Sequence, residues 1–265
     1  MSDEKKTSPA LPAATILLLR PSDNGMQVFM VVRHHQIDFA SGALVFPGGK
    51  VDQQDFDDAL LPFINAPHSD LAMRAIQVSA IREAFEECGV LLARPVGSDD
   101  LVSGDVLKTL DVCREPLNSG ELPLLKFLQD NQLVLACDLL THFSHWITPE
   151  MMPKRFDTHF YLAVAPSDHL AIHDGYESVD SVWITPPDAI SQAKSGERTI
   201  IFPTLCNIEK LAHSKTVEEA LAAANADTIQ PILPWMERRD DGGYVCIPTD
   251  QGYPTTEQKV PDRAG

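Results

Sequence analysis

The chain has 265 residues, 44% of them hydrophobic, which suffices for one substantial core and suits one elaborated domain or two small ones. A formal net charge of −17 opposes encounter with nucleic-acid backbone or an anionic membrane, so a phosphate-bearing ligand would need a cation or local arginines. Five scattered cysteines with no C-x-x-C pair argue against a zinc or disulfide framework and fit a reducing, cytoplasmic setting.

Residues 1–11 are charged and polar and read as a disordered leader. No apolar run approaches the roughly 20 residues that span a bilayer. Residues 14–19 and 28–32 read as buried strands around a turn at 22–25, and 43–46 as a third strand closed by Pro47, Gly48 and Gly49. From Ser69 the pattern turns helical: Leu71, Ala75, Val78, Ile81, Phe85 and Cys88 recur at three- and four-residue steps, and Gly89 is the stop. A helix near 122–130, a strand at 160–164, a turn at Asp174-Gly175 and a strand at 181–184 follow. Helices are expected at 187–194, 203–213 and 217–224, then a turn at 240–243 joining a short hairpin. This order indicates an α/β core in one domain over 12–254, with an insertion at about 56–79, a C-terminal helical extension at about 200–254 and a disordered tail over 255–265. The apolar residues of 60–64 are expected to pack over the core or a pocket mouth, with a helical extension leading into the helix from Ser69.

That helix carries the chemistry. Glu83 stands three and four residues before Glu86 and Glu87, so the three carboxylates share one side, where like charges repel. A divalent cation held among them would reverse the repulsion, and oxygen-only ligation suits Mg²⁺ or Mn²⁺. An acidic chain displays solvated carboxylate faces often, so the cluster alone does not decide. The Phe46-Pro47-Gly48-Gly49 turn upstream does, because a glycine turn exposes backbone carbonyls that can add a ligand, here at Gly49.

Gly49 to Val90 resembles an interrupted Nudix box, which runs Gly, five residues, Glu, seven residues, Arg-Glu, an aliphatic, any residue, Glu-Glu, any residue, Gly, aliphatic. Five residues separate Gly49 from Asp55, which stands at the family's Glu, and Arg82-Glu83 to Gly89-Val90 matches the second half. Residues 56–81 lie where the box has seven. Further resemblance to the coenzyme A diphosphatase-like branch lies in Trp146 to Glu150, in Lys154 to Thr158, and in Arg33 with Gly42 to Gly49. In that branch's signature His34 replaces a small residue, and Asp38 falls on the second arginine.

The resemblance implies a Nudix α/β/α sandwich with a mixed sheet, and attack of a metal-activated water on a diphosphate phosphorus. It implies Glu83, Glu86, Glu87 and Gly49 as metal ligands, Glu83 as general base, and Arg82 orienting Glu86. Arg33, Arg155 and Lys50 are candidate phosphate contacts, and Glu177 or Asp55 a second base or ligand. His34, His35, His142, His145 and His159 receive no catalytic role, because no pair of them has compact metal-ligand company in the sequence. A P-loop at Gly49-Lys50 is rejected, since Leu44 stands at the first glycine and Val51 at the Ser/Thr position.

The expected function is hydrolysis of a diphosphate linkage in a small nucleotide-derived molecule, with coenzyme A or acyl-coenzyme A leading. ADP-ribose, dinucleotides and nucleotide sugars remain open, as does a non-catalytic nucleotide sensor on the same fold. A homodimer is compatible with the sequence.

Overall fold

Two long apolar segments frame the molecule: β1 (Ala10–Ser22) and β2 (Gly25–Arg33) pair antiparallel around a turn in which Gly25 takes φ +103°. β3 (Leu44–Val45) and β4 (Gly48–Lys50) follow, β3 against β2 and β4 against β1. Two 3-10 turns, Gln53–Phe56 and Asp58–Phe63, lead into α1 (Leu71–Cys88). Then come β5 (Ala93–Pro95), α2 (Gly104–Leu110), α3 (Arg114–Asn118), α4 (Leu124–Asp130) and β6 (Leu133–Leu135). β7 (Thr141–Ile147), β8 (Arg155–Val164) and β9 (Ser178–Ile184) complete most of the sheet. α5 (Pro186–Ser195), α6 (Phe202–Leu211) and α7 (Val217–Ala226) precede β10 (Pro231–Ile232). β11 (Trp235–Arg239), β12 (Gly242–Cys246) and β13 (Glu257–Lys259) end the chain's regular structure. The structure, a computed structural model, describes residues 8–33, 42–169, 171 and 178–260.

The sheet runs β10-β7-β8-β1-β2-β3, with β4 also on β1 and β9 also on β2. β8 lies parallel to β1 and β7 antiparallel to β8, so the sheet is mixed. Alternate residues of each strand point to opposite faces. Ala14, Ile16, Leu18, Tyr161 and Ala163 therefore meet α1 and α4 on one side, while Leu17, Leu19, Phe160 and Leu162 meet α5, α6 and α7 on the other. Helices on both faces of a mixed sheet make the expected α/β/α sandwich. Among the described residues no helix is long and apolar enough to cross a membrane.

The insertion supplies core as well as loop. Leu60 is 1% exposed and Ile64 6%, with Phe63 packed beside them, and α1 starts at Leu71, several turns ahead of the carboxylates. Leu61 and Pro62 are the members of the run left exposed.

Three expectations are corrected. β1 begins at Ala10, inside the supposed leader, because it pairs with β8 from Arg155 onward. β13 lies inside the tail expected to be disordered: Glu257, Gln258 and Lys259 are all exposed and carry no apolar signal, yet they pair with Cys246, Val245 and Tyr244, and Arg239 forks onto Glu257 at 2.9 and 2.8 Å. The C-terminal extension is helical only to Ala226, after which it is strand and loop, fastened where Trp146 Nε1 donates to Tyr253 Oη at 3.2 Å. The Asp174-Gly175 turn and positions His34, His35, Asp38 and Glu177 lie outside the described residues.

Candidate active site

α1 is fixed at both ends. Asp70 caps its start by accepting the Met73 N–H at 2.9 Å, and Gly89 ends it at φ +68°, a left-handed conformation that glycine adopts without strain. Its last turns deliver Glu83, Glu86 and Glu87 to β4. A Cβ on Gly49 would lie 2.6 Å from the Glu83 carboxyl atoms, so only a glycine lets the strand approach this closely. Gly48 sits at φ +152°, where a Cβ would meet the Ala14 carbonyl oxygen at 2.3 Å, and its N–H donates to Glu87 Oε2 at 2.9 Å. The Phe46 to Gly49 turn and the carboxylate helix are thus one interlocked unit.

Arg82 stands at its centre, 3% exposed. Nε and Nη2 fork onto Asp55, each at 3.0 Å. Nη1 donates to Glu83 Oε1 at 2.8 Å and to Glu86 Oε2 at 3.0 Å, and Nη2 also reaches the Lys50 carbonyl at 3.1 Å. Burial works against the guanidinium charge, but Glu83, Asp55 and Glu86 around it raise its pKa above the ordinary arginine value. The i, i+4 pair with Glu86 forms, as one contact of several.

Glu86 is the most unusual group here. Its side chain is 3% exposed and its Oε1 has no hydrogen-bond partner. Burial, with Arg82 opposing and the Glu83 charge adding to it, pushes its pKa up to about 8. All three glutamates occupy the last turns of α1, where the helix dipole disfavours negative charge and the final turn carries no basic residue, so Arg82 is the compensating charge from its own helix. Arg114 Nε donates to the Glu86 carbonyl at 3.2 Å and satisfies that end of the backbone. An orphaned, buried carboxylate oxygen among further carboxylates is a donor set fitted to a hard divalent cation.

A cleft of about 370 Å³ opens over this cluster, walled by Gly48, Gly49, Lys50, Glu83, Glu86, Asn118, Lys154 and Phe156. A larger one, about 440 Å³, lies on the other face of the sheet beside Lys210, Asp227 and Tyr253, away from the carboxylate helix.

The structure brings Arg82, Glu83, Glu86, Gly49 and Lys50 together, with Glu87 bracing the turn behind them. Two candidates are corrected. Asp55 is 1% exposed with both oxygens on Arg82 and the Asp52 N–H on Oδ2, so it serves neither as base nor as ligand but anchors the arginine. Arg155 donates Nε to the Thr148 carbonyl at 3.0 Å and Nη1 to the Ser8 carbonyl at 2.8 Å, which fastens β8 to the start of the described chain. Its neighbour Lys154 lines the cleft instead. The adjacent arginine, with its forked donors, drew the sequence reading away from Lys154, and Asn118 had no signal at all. Arg33 closes β2 through its backbone, its side chain lying outside what is described, as does Glu177.

The histidines need a correction too. His145 and His159 stack with ring centroids 3.9 Å apart, His145 Nε2 contacts Asp157 Oδ1, and His159 Nδ1 shares a 3.1 Å hydrogen bond with His142 Nε2. Strand pairing across the sheet brings together residues that spacing along the chain kept apart. Burial, reinforced by the neighbouring His145, lowers the His142 and His159 pKa values to about 4.

The model of the NUDT19 Nudix domain matches residues 65–211. The chain is 23% identical to the acyl-coenzyme A diphosphatase NUDT19 of Xenopus laevis over 86% of its own length and 71% of that protein's. It is 26% identical to the putative nudix hydrolase 7 of Caenorhabditis elegans over 94% of its length and 76% of that protein's. Among solved structures, a NUDIX hydrolase from Alicyclobacillus acidocaldarius superposes with a TM-score of 0.68 and 27% identity, covering 81% of this chain and 96% of that one. With the fold, the Gly49 turn and the Arg82-centred carboxylate helix in agreement, the chain belongs to the NUDT19 Nudix domain family and is a Nudix hydrolase.

Proposed function

We propose that the protein hydrolyses the diphosphate bridge of coenzyme A or an acyl-coenzyme A at the cleft over Glu83. One observation carries the placement of the chemistry: a fully engaged, buried Arg82 holds two glutamates at the cleft and leaves Glu86 Oε1 unsatisfied. The substrate class is supported by the names of relatives matched over most of their length, among them the human acyl-coenzyme A diphosphatase NUDT19, 24% identical over 88% of this chain.

Glu83 and Glu86 would hold a divalent cation, with Mg²⁺ or Mn²⁺ the expected ions and the Gly49 carbonyl the candidate backbone ligand. When bound, such a cation neutralises phosphate charge and lowers the pKa of water. The remaining work falls to the chain. Lys50 and Lys154 line the cleft and attract the diphosphate, which a surface of net charge −17 otherwise repels. Glu83 accepts the proton of the attacking water at a carboxylate oxygen as the new O–P bond forms. The bridging P–O bond breaks, and its electron pair leaves with the second phosphate. Arg82 holds Glu83 in place through Nη1, and Phe156 provides an apolar wall. The reading takes the chain from β1 (Ala10) to β13 (Lys259) as one domain acting on a small molecule in the cytoplasm.

The test is a panel of coenzyme A, dephospho-coenzyme A, ADP-ribose and a nucleotide sugar under Mg²⁺ or Mn²⁺, with product identification. Cleavage of coenzyme A or its dephospho form supports the class. Cleavage of ADP-ribose or a nucleotide sugar alone overturns it and leaves diphosphate hydrolysis standing.

A further inference from the structure

His145, Asp157 and His159 are brought to one point by strand register. His145 faces His159 across the β7–β8 pair, and Asp157, two residues before His159, shares its face of the sheet. One donor atom from each of the three lies within 4.8 Å of the others. Both Nε2 atoms converge on one carboxylate oxygen: that of His145 contacts Asp157 Oδ1, and that of His159 lies 4.0 Å from it. A tetrahedral cation with ligands at about 2.0–2.1 Å needs donor separations of roughly 3.3 Å, so a small approach of His159 and a slight opening of the His145–Asp157 contact would place three of its four ligands.

We propose that His145, Asp157 and His159 form a binding site for a divalent transition-metal cation of the zinc class, with His142 fixing the ring of His159. The donor chemistry selects the ion: two imidazoles and one carboxylate suit zinc-like cations, whereas magnesium prefers oxygen alone. The His142 Nε2 to His159 Nδ1 bond, at 3.1 Å, is the outer hydrogen bond that orients metal-binding histidines and leaves Nε2 toward the ion. Asp157 is 38% exposed, which gives the ion a way in and leaves room for a water or a ligand in the fourth position.

The location gives the site a consequence for the cleft. Gly49 pairs with Ala14, Ala14 with His159 and His159 with His145, a single row across four strands. At about 4.8 Å per strand, His159 stands roughly 10 Å from Gly49. Phe156 and Thr158, the chain neighbours of Asp157, line the cleft from the opposite face of β8, so the cluster lies behind the cleft wall and not in it. A cation here adds positive charge to the flank of an acidic pocket and fastens β7 to β8 beside it. This inference does not depend on the substrate, and its readout is binding.

The experiment titrates Zn²⁺ into the chelator-stripped full chain by calorimetry, with Co²⁺ absorption as a check on nitrogen ligation. It compares wild type, the E83Q/E86Q double variant, H145Q, H142Q and the milder D157N. One equivalent of Zn²⁺ should bind the double variant, and wild type should bind it with the same affinity beside any ion taken up by the carboxylate helix. H145Q and D157N should each weaken it at least tenfold while keeping the wild-type circular dichroism, and H142Q should weaken it about 10- to 100-fold. Binding that disappears in E83Q/E86Q but is unchanged in folded H145Q and D157N would overturn the site. So would the absence of stoichiometric Zn²⁺ binding to wild type.

Discussion

Arg82, nearly buried at the floor of the cleft, donates to four carboxylate or carbonyl partners, and the energetics of such a hub are asymmetric. The pairs hold geometry and contribute little net stability, but removing the guanidinium leaves Asp55 and Glu86 buried without a counter-charge. Arg82→Ala should therefore cost about 3–5 kcal/mol in denaturant unfolding. Arg82→Lys should recover part of that stability and little activity, because an ammonium cannot fork onto Asp55 while reaching Glu83. Equal activity in the lysine variant would show that orientation of Glu83 is not its role. Glu86 gives a second prediction at this scale. Its folded pKa of about 8 lies above its unfolded value, so stability from this group is full below about 4.5 and is lost as pH rises through 8. A cation that needs ionised Glu86 competes with that proton. The rise in Tm on adding Mg²⁺ should be larger at pH 8.5 than at pH 6.5, and Glu86→Gln should abolish the difference.

Among the elements, β4 and α1 are the pair whose contact makes the site, and Gly49 is where they touch. Gly49→Ala places a methyl group 2.6 Å from the Glu83 carboxylate, a side-chain end that can swing away. The variant should fold, with Tm near wild type, and lose about a hundredfold in turnover as Glu83 is displaced. Retained turnover would mean that the close approach is not functional. Leu60, from the insertion, is 1% exposed against this core, and Leu60→Ala should cost about 2–5 kcal/mol by urea unfolding.

Periodicity made α1 legible to within two residues at its start, and Gly89 marked its end, because each signal is local to the helix. The second half of the box and the glycine turn were legible for the same reason. The long-range pairings were not. Nothing near Asp55 announces that Arg82 will consume both its oxygens, nothing near Arg155 announces the carbonyls of Ser8 and Thr148, and β13 is held by backbone pairing and Arg239 with no apolar pattern of its own. The first half of β8 is polar because it borders the cleft, so hydrophobicity located only its second half.

For the whole molecule, charge sets the problem that the site has to solve. A chain of −17 repels a nucleoside diphosphate until it reaches a local set of cations, and Lys50 and Lys154 stand at the cleft beside Arg82, whose charge is taken up by its carboxylates. The sandwich supplies the stiffness behind it: β1, at the centre of the sheet, carries β4 on part of one edge and β8 along the other, so both walls of the cleft hang from one strand. The most direct test of the account measures hydrolysis of coenzyme A under Mg²⁺ by wild type and by the Glu83→Gln and Glu87→Gln variants, with circular dichroism to verify the fold. The account predicts cleavage at the diphosphate by wild type and a loss of at least about a hundredfold in both folded variants. Near-wild-type turnover in both would contradict it.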